Sequence, residues 1–173
     1  IHSVQELPSP LEHFLESKDY SQVFVLADNH TAEACVPLIG PNFLEPIVIP
    51  HGEKHKTIAS CEVIWKHLTD AGADRRAVLL NVGGGLIGDL GGFAASTYKR
   101  GIDFIQIPTS LLSMVDASVG GKTGVNFDHF KNQVGVFQDP AAVFIYPTFL
   151  NSLPQRELES GFAEVIKHCL IAD

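Results

Sequence analysis

The sequence predicts an α/β domain built on a mainly parallel sheet with flanking helices. Three observations carry this reading. Short apolar runs alternate with segments whose apolar residues recur every three or four positions. The run Ala77 to Val82 is apolar except for Asn81, the pattern of a strand buried on both faces. That run empties into Gly83-Gly84-Gly85-Leu86-Ile87-Gly88-Asp89, which an amphipathic segment follows. Alternation of this kind implies a sheet joined by right-handed crossovers.

The elements follow in order. Val23 to Ala27 is an apolar run ending at Asp28-Asn29-His30, a turn and helix N-cap signal. Thr31 to Ile39 reads as a short helix closed by Gly40-Pro41. Pro46 to Ile49 is a second strand, followed by a polar loop from His51 to Lys56. Beyond Thr57, Ile58, Cys61, Ile64, Trp65 and Leu68 recur at helical spacing, and Gly72 closes that helix. Ala77 to Val82 is the third strand. Leu86, Leu90, Phe93, Ala94 and Thr97 mark the buried face of the next helix. Gly91 and Gly92 inside it cost about 1 kcal/mol each relative to alanine, so they are expected to bring helix and sheet close together. Ile102 to Ile107 is a fourth strand. Residues 120–135 read as a glycine-rich polar loop, with Val134 to Phe137 and Val143 to Tyr146 as further strands and Gln155 to Ala172 as a long helix.

Composition bounds the function. A chain of 173 residues with 45% hydrophobic and 18% charged residues fits one domain, or one domain and a piece of another. The net charge of −8 argues against a nucleic-acid surface. No apolar run reaches membrane-spanning length and no signal peptide is visible, so no membrane partner is expected. Cys35, Cys61 and Cys169 form no motif; the first two read as reduced core residues, which favours a cytoplasmic location. The chain starts at Ile1 without a Met and stops inside an apparent helix, so both ends are expected to be cut ends.

Gly83, Gly85 and Gly88 fit G-x-G-x-x-G between strand and helix, the context of a Rossmann-like phosphate site. Glycine lets backbone approach a phosphate, and the helix start supplies free N–H groups and a positive dipole end. The motif follows the third strand rather than the first, however. The acid expected about 20 residues on, Asp103, begins its strand and so lies at the wrong edge of the sheet; it reads as a solvated carboxylate. Asp28, Glu53 and Asp89 are better placed for a ribose. Thr109 and Ser110, after Pro108, suit both a helix N-cap and a pair of hydroxyls in the crevice. Gly120-Gly121-Lys122-Thr123 is no P-loop, yet Asp116, Lys122, Lys131 and Asn132 crowd charged and amide groups together as an anion site would. Glu164 stands three residues from Lys167 and four from His168. Spacing alone favours a surface pair worth about 0.2–0.5 kcal/mol; a Glu buried among Phe162, Val165, Ile166 and Cys169 would instead need a cation or a metal. His51 and His55 read as turn residues rather than a metal pair, and His2, His13, His67 and His129 show no partner pattern.

Taken together, Gly83 to Leu90, Tyr98-Lys99-Arg100-Gly101, Ile107 to Asn126 and Gly161 to His168 closely resemble the 3-dehydroquinate synthases, from about residue 23 onward. The resemblance implies an NAD-binding α/β domain over residues 1–153, with residues 154–173 opening an all-helical metal and substrate domain. It implies conversion of 3-deoxy-arabino-heptulosonate 7-phosphate to 3-dehydroquinate and phosphate, a lyase step of the shikimate route, with catalytic NAD and a divalent metal, zinc or cobalt. By resemblance, NAD is held by Gly52, Glu53, Lys54, His55 and Lys56, by Gly84, Gly85, Leu86, Ile87, Gly88 and Asp89, by Thr109, Ser110, Lys122 and Lys131, and by Phe149, Leu150, Asn151 and Ser152. Asp28 reaches the adenosine side. Asp116 sits by the nicotinamide and the reacting hydroxyl, and Lys122 and Asn132 hold the substrate's phosphate end. Arg100 comes from the other subunit of a homodimer. Glu164 is a metal ligand, and Lys167 contacts ring hydroxyls. With Glu164 as the one metal ligand implied here, this chain alone is expected to bind NAD weakly at most and to lack turnover. Rival readings are another sugar-phosphate cyclase making an inosose or valiolone, a polyol dehydrogenase of related fold, or a non-catalytic nucleotide-binding module.

Overall fold

The computed structural model describes residues 1–43 and 45–171. In chain order the elements are β1 His2–Ser3, α1 Pro8–Lys18, β2 Val23–Asp28, α2 Asn29–Ala34, β3 Ile47–Ile49, α3 Ile58–Asp70, β4 Val78–Gly83, α4 Gly85–Thr97, β5 Asp103–Pro108, β6 Lys122–Phe127, β7 Phe130–Phe137, β8 Ala142–Ile145 and α5 Gln155–Ile171. Six strands form one sheet in the order β1-β8-β5-β4-β2-β3, every neighbouring pair parallel.

Side chains alternate across this sheet and build a core on each face. Val78, Leu80 and Val82 point to the layer of α1, where Leu11, Leu15 and the preceding Leu7 are buried, and to Cys35, Val36 and Ile39 beyond α2. Leu79 points the other way, to α3 through Cys61, Ile64 and Leu68 and to α4 through Ile87, Leu90 and Ala94. The segments after β2 and after β4 therefore leave to opposite faces. The carboxyl ends of these two adjacent strands open a crevice, the topological switch point where such sheets take ligands.

Gly91 and Gly92 carry the close approach expected of them, on two different surfaces. A Cβ on Gly91 would stand 2.0 Å from Asn81 Oδ1, so β4 itself lies against the helix there. A Cβ on Gly92 would stand 2.4 Å from Thr123 Cγ2, on β6.

The stretch 120–135 is not a loop. β6 and β7 pair antiparallel as a separate two-stranded hairpin, with Lys122 opposite Phe137 and Val125 opposite Val134. Only one face is covered, where Thr123 and Val125 bury against α4. Val134 to Phe137, expected as a strand, form the second half of β7, whereas Lys131, Asn132 and Gln133 before them are polar and exposed and show no apolar alternation. The helix expected over Thr31 to Ile39 is shorter. α2 stops at Ala34, and Val36–Leu38 form a separate 3-10 turn around Pro37, which has no N–H to donate and blocks a continuous helix. The elements α1 and β1 had no counterpart in the sequence reading. The helix from Gln155 is present to Ile171; Ala172, its expected end, lies outside the described residues.

Cys35 and Cys61 are buried and free, as expected, and burial pushes their thiols up to about 11 and about 12. Among the described residues no helix is long and apolar enough to cross a membrane.

Candidate functional site

The carboxyl edge of the sheet gathers most of the expected site residues. At the end of β4, Gly84 caps α4 with no side chain, and the first intrahelical bond runs from Gly88 N to Gly84 O at 3.1 Å. The amides of Gly85, Leu86 and Ile87 thus sit in the open first turn, the arrangement that binds an anion. The Ile87 side chain belongs to the core, and the Gly88 carbonyl accepts from Gln106 Nε2 at 3.0 Å. This stretch therefore offers backbone rather than side chains. Thr109 is buried, with its N–H on the Gly83 carbonyl at 3.0 Å. Ser110 and Ser113 cap each other reciprocally, each backbone N–H donating to the other's hydroxyl oxygen at 3.2–3.3 Å. Ser110 Oγ would also lie 3.4 Å from a Cβ on Gly84, so the capping hydroxyl borders the glycine turn.

The loop after β3 is tied down by a polar network. Gly52 adopts φ +107, and Glu53–His55 form a 3-10 turn. Lys56 is 4% exposed; its ammonium ion-pairs with Asp89 on α4 and donates to Asn132 Oδ1 on β7. Burial raises the Asp89 carboxyl above the usual range, and Lys56 opposes that rise. Asn126 donates from Nδ2 to Glu53 Oε1 at 2.9 Å and from its backbone to the Lys56 carbonyl at 2.8 Å, while Asn126 Oδ1 accepts from Asn132 N at 2.9 Å. The β3 loop, the α4 start and the hairpin are thereby one unit. Lys54 is exposed.

Other expected residues fall differently. Lys122 and Asn132 sit near opposite ends of the hairpin, since Asn132 lies beside Asn126; at about 3.4 Å per residue their backbones are roughly 13 Å apart. Asn132 holds a left-handed φ of +52. Lys122 and Lys131 are exposed. Phe149 is buried and packs edge-on against Tyr146, so its ring serves the core rather than a ligand surface. Its neighbours Leu150, Asn151 and Ser152 complete the 3-10 turn after β8, where Ser152 Oγ donates to the Phe149 carbonyl at 3.0 Å. Arg100 lies between α4 and β5, at the opposite edge of the sheet, where Lys99, Arg100 and Gly101 all have positive φ. Asp103, at that same edge, accepts from Tyr20 Oη at 2.8 Å and stands away from the site as expected.

The second cluster is assembled by tertiary contact. Residues Ser113–Ala117 form a π-helical turn that presents Asp116, and α5 packs against the segment before it. Gly161 makes this possible, because a Cβ there would stand 2.6 Å from Leu111 Cβ and 2.7 Å from Leu112 N. His168 Nε2 then lies 3.3 Å from Glu164 Oε1 and 3.6 Å from Asp116 Oδ1. Asp116, Glu164 and His168 each offer one ligand atom, all within 4.8 Å of one another. The His168 Nε2 atom is buried with no hydrogen-bond partner. Two carboxylates around one unpartnered imidazole nitrogen fit a divalent cation. Lys167 ion-pairs with Glu164, and its hydrogen bond to that carboxylate raises the ammonium pKa. The Glu164 side chain is 17% exposed. Its cover is not the apolar helix surface expected, for Phe162, Ile166 and Leu170 are exposed. His168 was visible in the sequence only as the i+4 neighbour of Glu164.

At the β2 and β3 ends, Asp28 is the N-cap of α2, accepting from His30 N at 2.8 Å and Thr31 N at 3.0 Å. His51 is drawn to this corner rather than toward His55: its ring stacks on His30 with centroids 4.6 Å apart.

The family description "3-dehydroquinate synthase N-terminal" matches residues 46–160. The 3-dehydroquinate synthase of Parabacteroides distasonis is 46% identical over 172 residues, covering 97% of this chain and 49% of the relative. That of Sulfurovum sp. is 55% identical over 130 residues, covering 75% of this chain and 37% of the relative. The chain thus spans at most about half the length of these curated relatives. Among solved structures, 2-deoxy-scyllo-inosose synthase complexed with carbaglucose-6-phosphate, NAD+ and Co2+ superposes with a TM-score of 0.91 at 28% identity, covering 99% of this chain and 49% of that one. With the family pattern running through two thirds of its residues and a relative 46% identical over 97% of its length, the chain belongs to the 3-dehydroquinate synthase family.

Proposed function

We propose that this chain is the NAD-binding part of an enzyme that converts 3-deoxy-arabino-heptulosonate 7-phosphate to 3-dehydroquinate and phosphate, with residues 154–173 opening a second, helical domain. The observation that carries the reading is the convergence of Asp116, Glu164 and His168 at the sheet edge that also holds the open first turn of α4. A dinucleotide cradle and a divalent-cation donor set on one crevice suit oxidation and re-reduction of a phosphorylated sugar acid. The higher identity to proteins named 3-dehydroquinate synthase than to the inosose synthase favours this substrate over that of another cyclase.

When bound, NAD accepts and returns the hydride, and a divalent metal polarises the reacting hydroxyl. The chain's own residues do the rest. The amides of Gly85 to Ile87 hold the dinucleotide's pyrophosphate at the α4 start, Asp28 takes the adenosine ribose, and Lys131 adds charge. Asp116 provides the path for the hydroxyl proton. Lys56 can only donate, so the Asn132 carbonyl faces it and the Asn132 amide N–H groups are left for the substrate phosphate. Lys122, exposed toward the other end of the hairpin, contributes its ammonium to that phosphate. Lys167, next to Glu164, meets the ring hydroxyls. Arg100 stands at the far edge of its own sheet and serves the site of a second copy in a homodimer. The free, buried thiols fit a cytoplasmic setting.

The test is phosphate release from the heptulosonate phosphate by the full polypeptide that carries this chain, with NAD and zinc. Turnover is expected, falling at least about a hundredfold in Asp116→Asn, the scale of a general-base loss. Absence of phosphate release from the unaltered protein, or turnover of glycerol with net NADH formation, overturns the reading.

A further inference from the structure

Asp28, His30 and His51 form a second group of ligand-type side chains, at the other end of the crevice from Asp116. The proposed function uses only the first of them. The group is held in place by its surroundings. The capping box fixes Asp28 Oδ1 on two backbone N–H groups, and Thr31 Oγ1 in return accepts from Asp28 N at 3.0 Å. Asn29 Oδ1 accepts from His51 N at 2.7 Å, which ties the loop after β3 to the start of α2. With Oδ1 committed, Asp28 Oδ2 faces His51 Nδ1 at 3.8 Å, too far for a hydrogen bond. The Asp28 side chain is 7% exposed, while both imidazoles are exposed and can turn. Their rings stack with centroids 4.6 Å apart at an interplanar angle of 26°, so the two imidazoles already lie side by side next to the Asp28 carboxylate.

We propose that Asp28, His30 and His51 bind a divalent transition-metal ion of the zinc, cobalt or nickel class. Each residue offers one donor atom, and the three lie within 4.8 Å of one another. Bonds of about 2.0–2.2 Å in a tetrahedron set donors about 3.3 Å apart, so closure asks the two exposed imidazoles to unstack and turn their ring nitrogens toward a fixed carboxylate. Two imidazoles and one carboxylate leave a fourth position to water, and imidazole selects zinc, cobalt or nickel over magnesium or calcium. The ion consumes the Asp28 carboxylate. On the reading that Asp28 receives the adenosine ribose, metal and dinucleotide therefore exclude each other, and excess metal inhibits cofactor binding at a site separate from Asp116, Glu164 and His168.

Cobalt(II) titrated into the chain, followed by its visible absorption and by the imidazole NMR signals, tests this. Paramagnetic broadening of the His30 and His51 signals is expected, and the double variant His30→Asn/His51→Asn is expected to lose one equivalent of bound cobalt that His168→Asn retains. Adding NAD should weaken that equivalent at least tenfold. Unmoved His30 and His51 signals at saturating cobalt, or unchanged stoichiometry and affinity in the double variant, overturn the site. Cobalt bound through both histidines but indifferent to NAD keeps the site and overturns instead the placement of adenosine on Asp28.

Discussion

Lys56 and Asp89 form an ion pair, closed over by the hairpin, that joins the loop after β3 to the first turn of α4. The ammonium is buried and the carboxylate side chain is 22% exposed, so each depends on the other for charge compensation. Replacing Lys56 by Met is expected to destabilise the fold by about 2–3 kcal/mol, below the 3–5 of a fully enclosed pair because Asp89 keeps some water contact. Urea unfolding measures it.

The same pair sets a pH dependence. Burial outweighs Lys56 and raises the folded Asp89 pKa above its ordinary 3.8. The folded state then holds that proton more tightly than the unfolded chain. The Asp89 contribution to stability is fully present below the unfolded pKa and declines as pH rises through the folded one. In Lys56→Met the carboxyl titration should move higher still, read by carbon NMR of Asp89, since the group that held it down is gone.

Gly91→Ala tests how closely α4 lies on β4. Alanine gains about 1 kcal/mol of helix propensity, but its Cβ would meet Asn81 Oδ1 at 2.0 Å and Leu26 Cδ2 at 2.7 Å. Overpacking of this kind costs about 1–3 kcal/mol, and a net loss is expected. Asn81 is 1% exposed with both amide atoms unpartnered. Adding Asn81→Ala should therefore recover stability, and a double variant no more stable than Gly91→Ala would contradict the contact.

Asp28 can be separated into cap and charge. Asp28→Ala removes the acceptor for two N–H groups of α2 and should cost about 1 kcal/mol. Asp28→Asn keeps an acceptor oxygen and should unfold within about 0.5 kcal/mol of the unaltered chain, while losing the charge that the ribose and the metal both need. Thermal unfolding and NAD titration together resolve the two roles.

Glu164→Gln should lower the Lys167 pKa toward 10.5, because the hydrogen bond to Glu164 is the first cause of its rise. A raised lysine contributes stability that is present below 10.5 and fades as pH climbs through the folded pKa. Nitrogen NMR of the Lys167 ammonium is the measurement. A titration unchanged in the variant would mean that Glu164 faces elsewhere.

The sequence by itself determined the parallel sheet, the strands β2, β3, β4, β5 and β8, the helices α3, α4 and α5, and the glycine turn at the end of β4. Each of these is written as a local pattern: an unbroken apolar run where both sheet faces are covered, a three-to-four period where one helix face is, glycine where backbone must come close. Of the hairpin only Val134 to Phe137 was legible as a strand; β6 escaped because Thr123 and Val125 alone of its larger side chains are pressed against α4, and a strand with one short covered patch has little alternation to read. The tertiary structure alone decided the partners across the sheet edge. Asp116 meets His168 because Gly161 lets α5 seat on the segment before the π turn. His51 stacks on His30, and not on His55 four residues away, because β3 runs parallel beside β2 and brings their carboxyl ends together. Arg100 stands apart because α4 carries the chain back to the opposite edge. Spacing along a chain reports which face a side chain takes, whereas the order of strands in the sheet settles which distant side chain it faces.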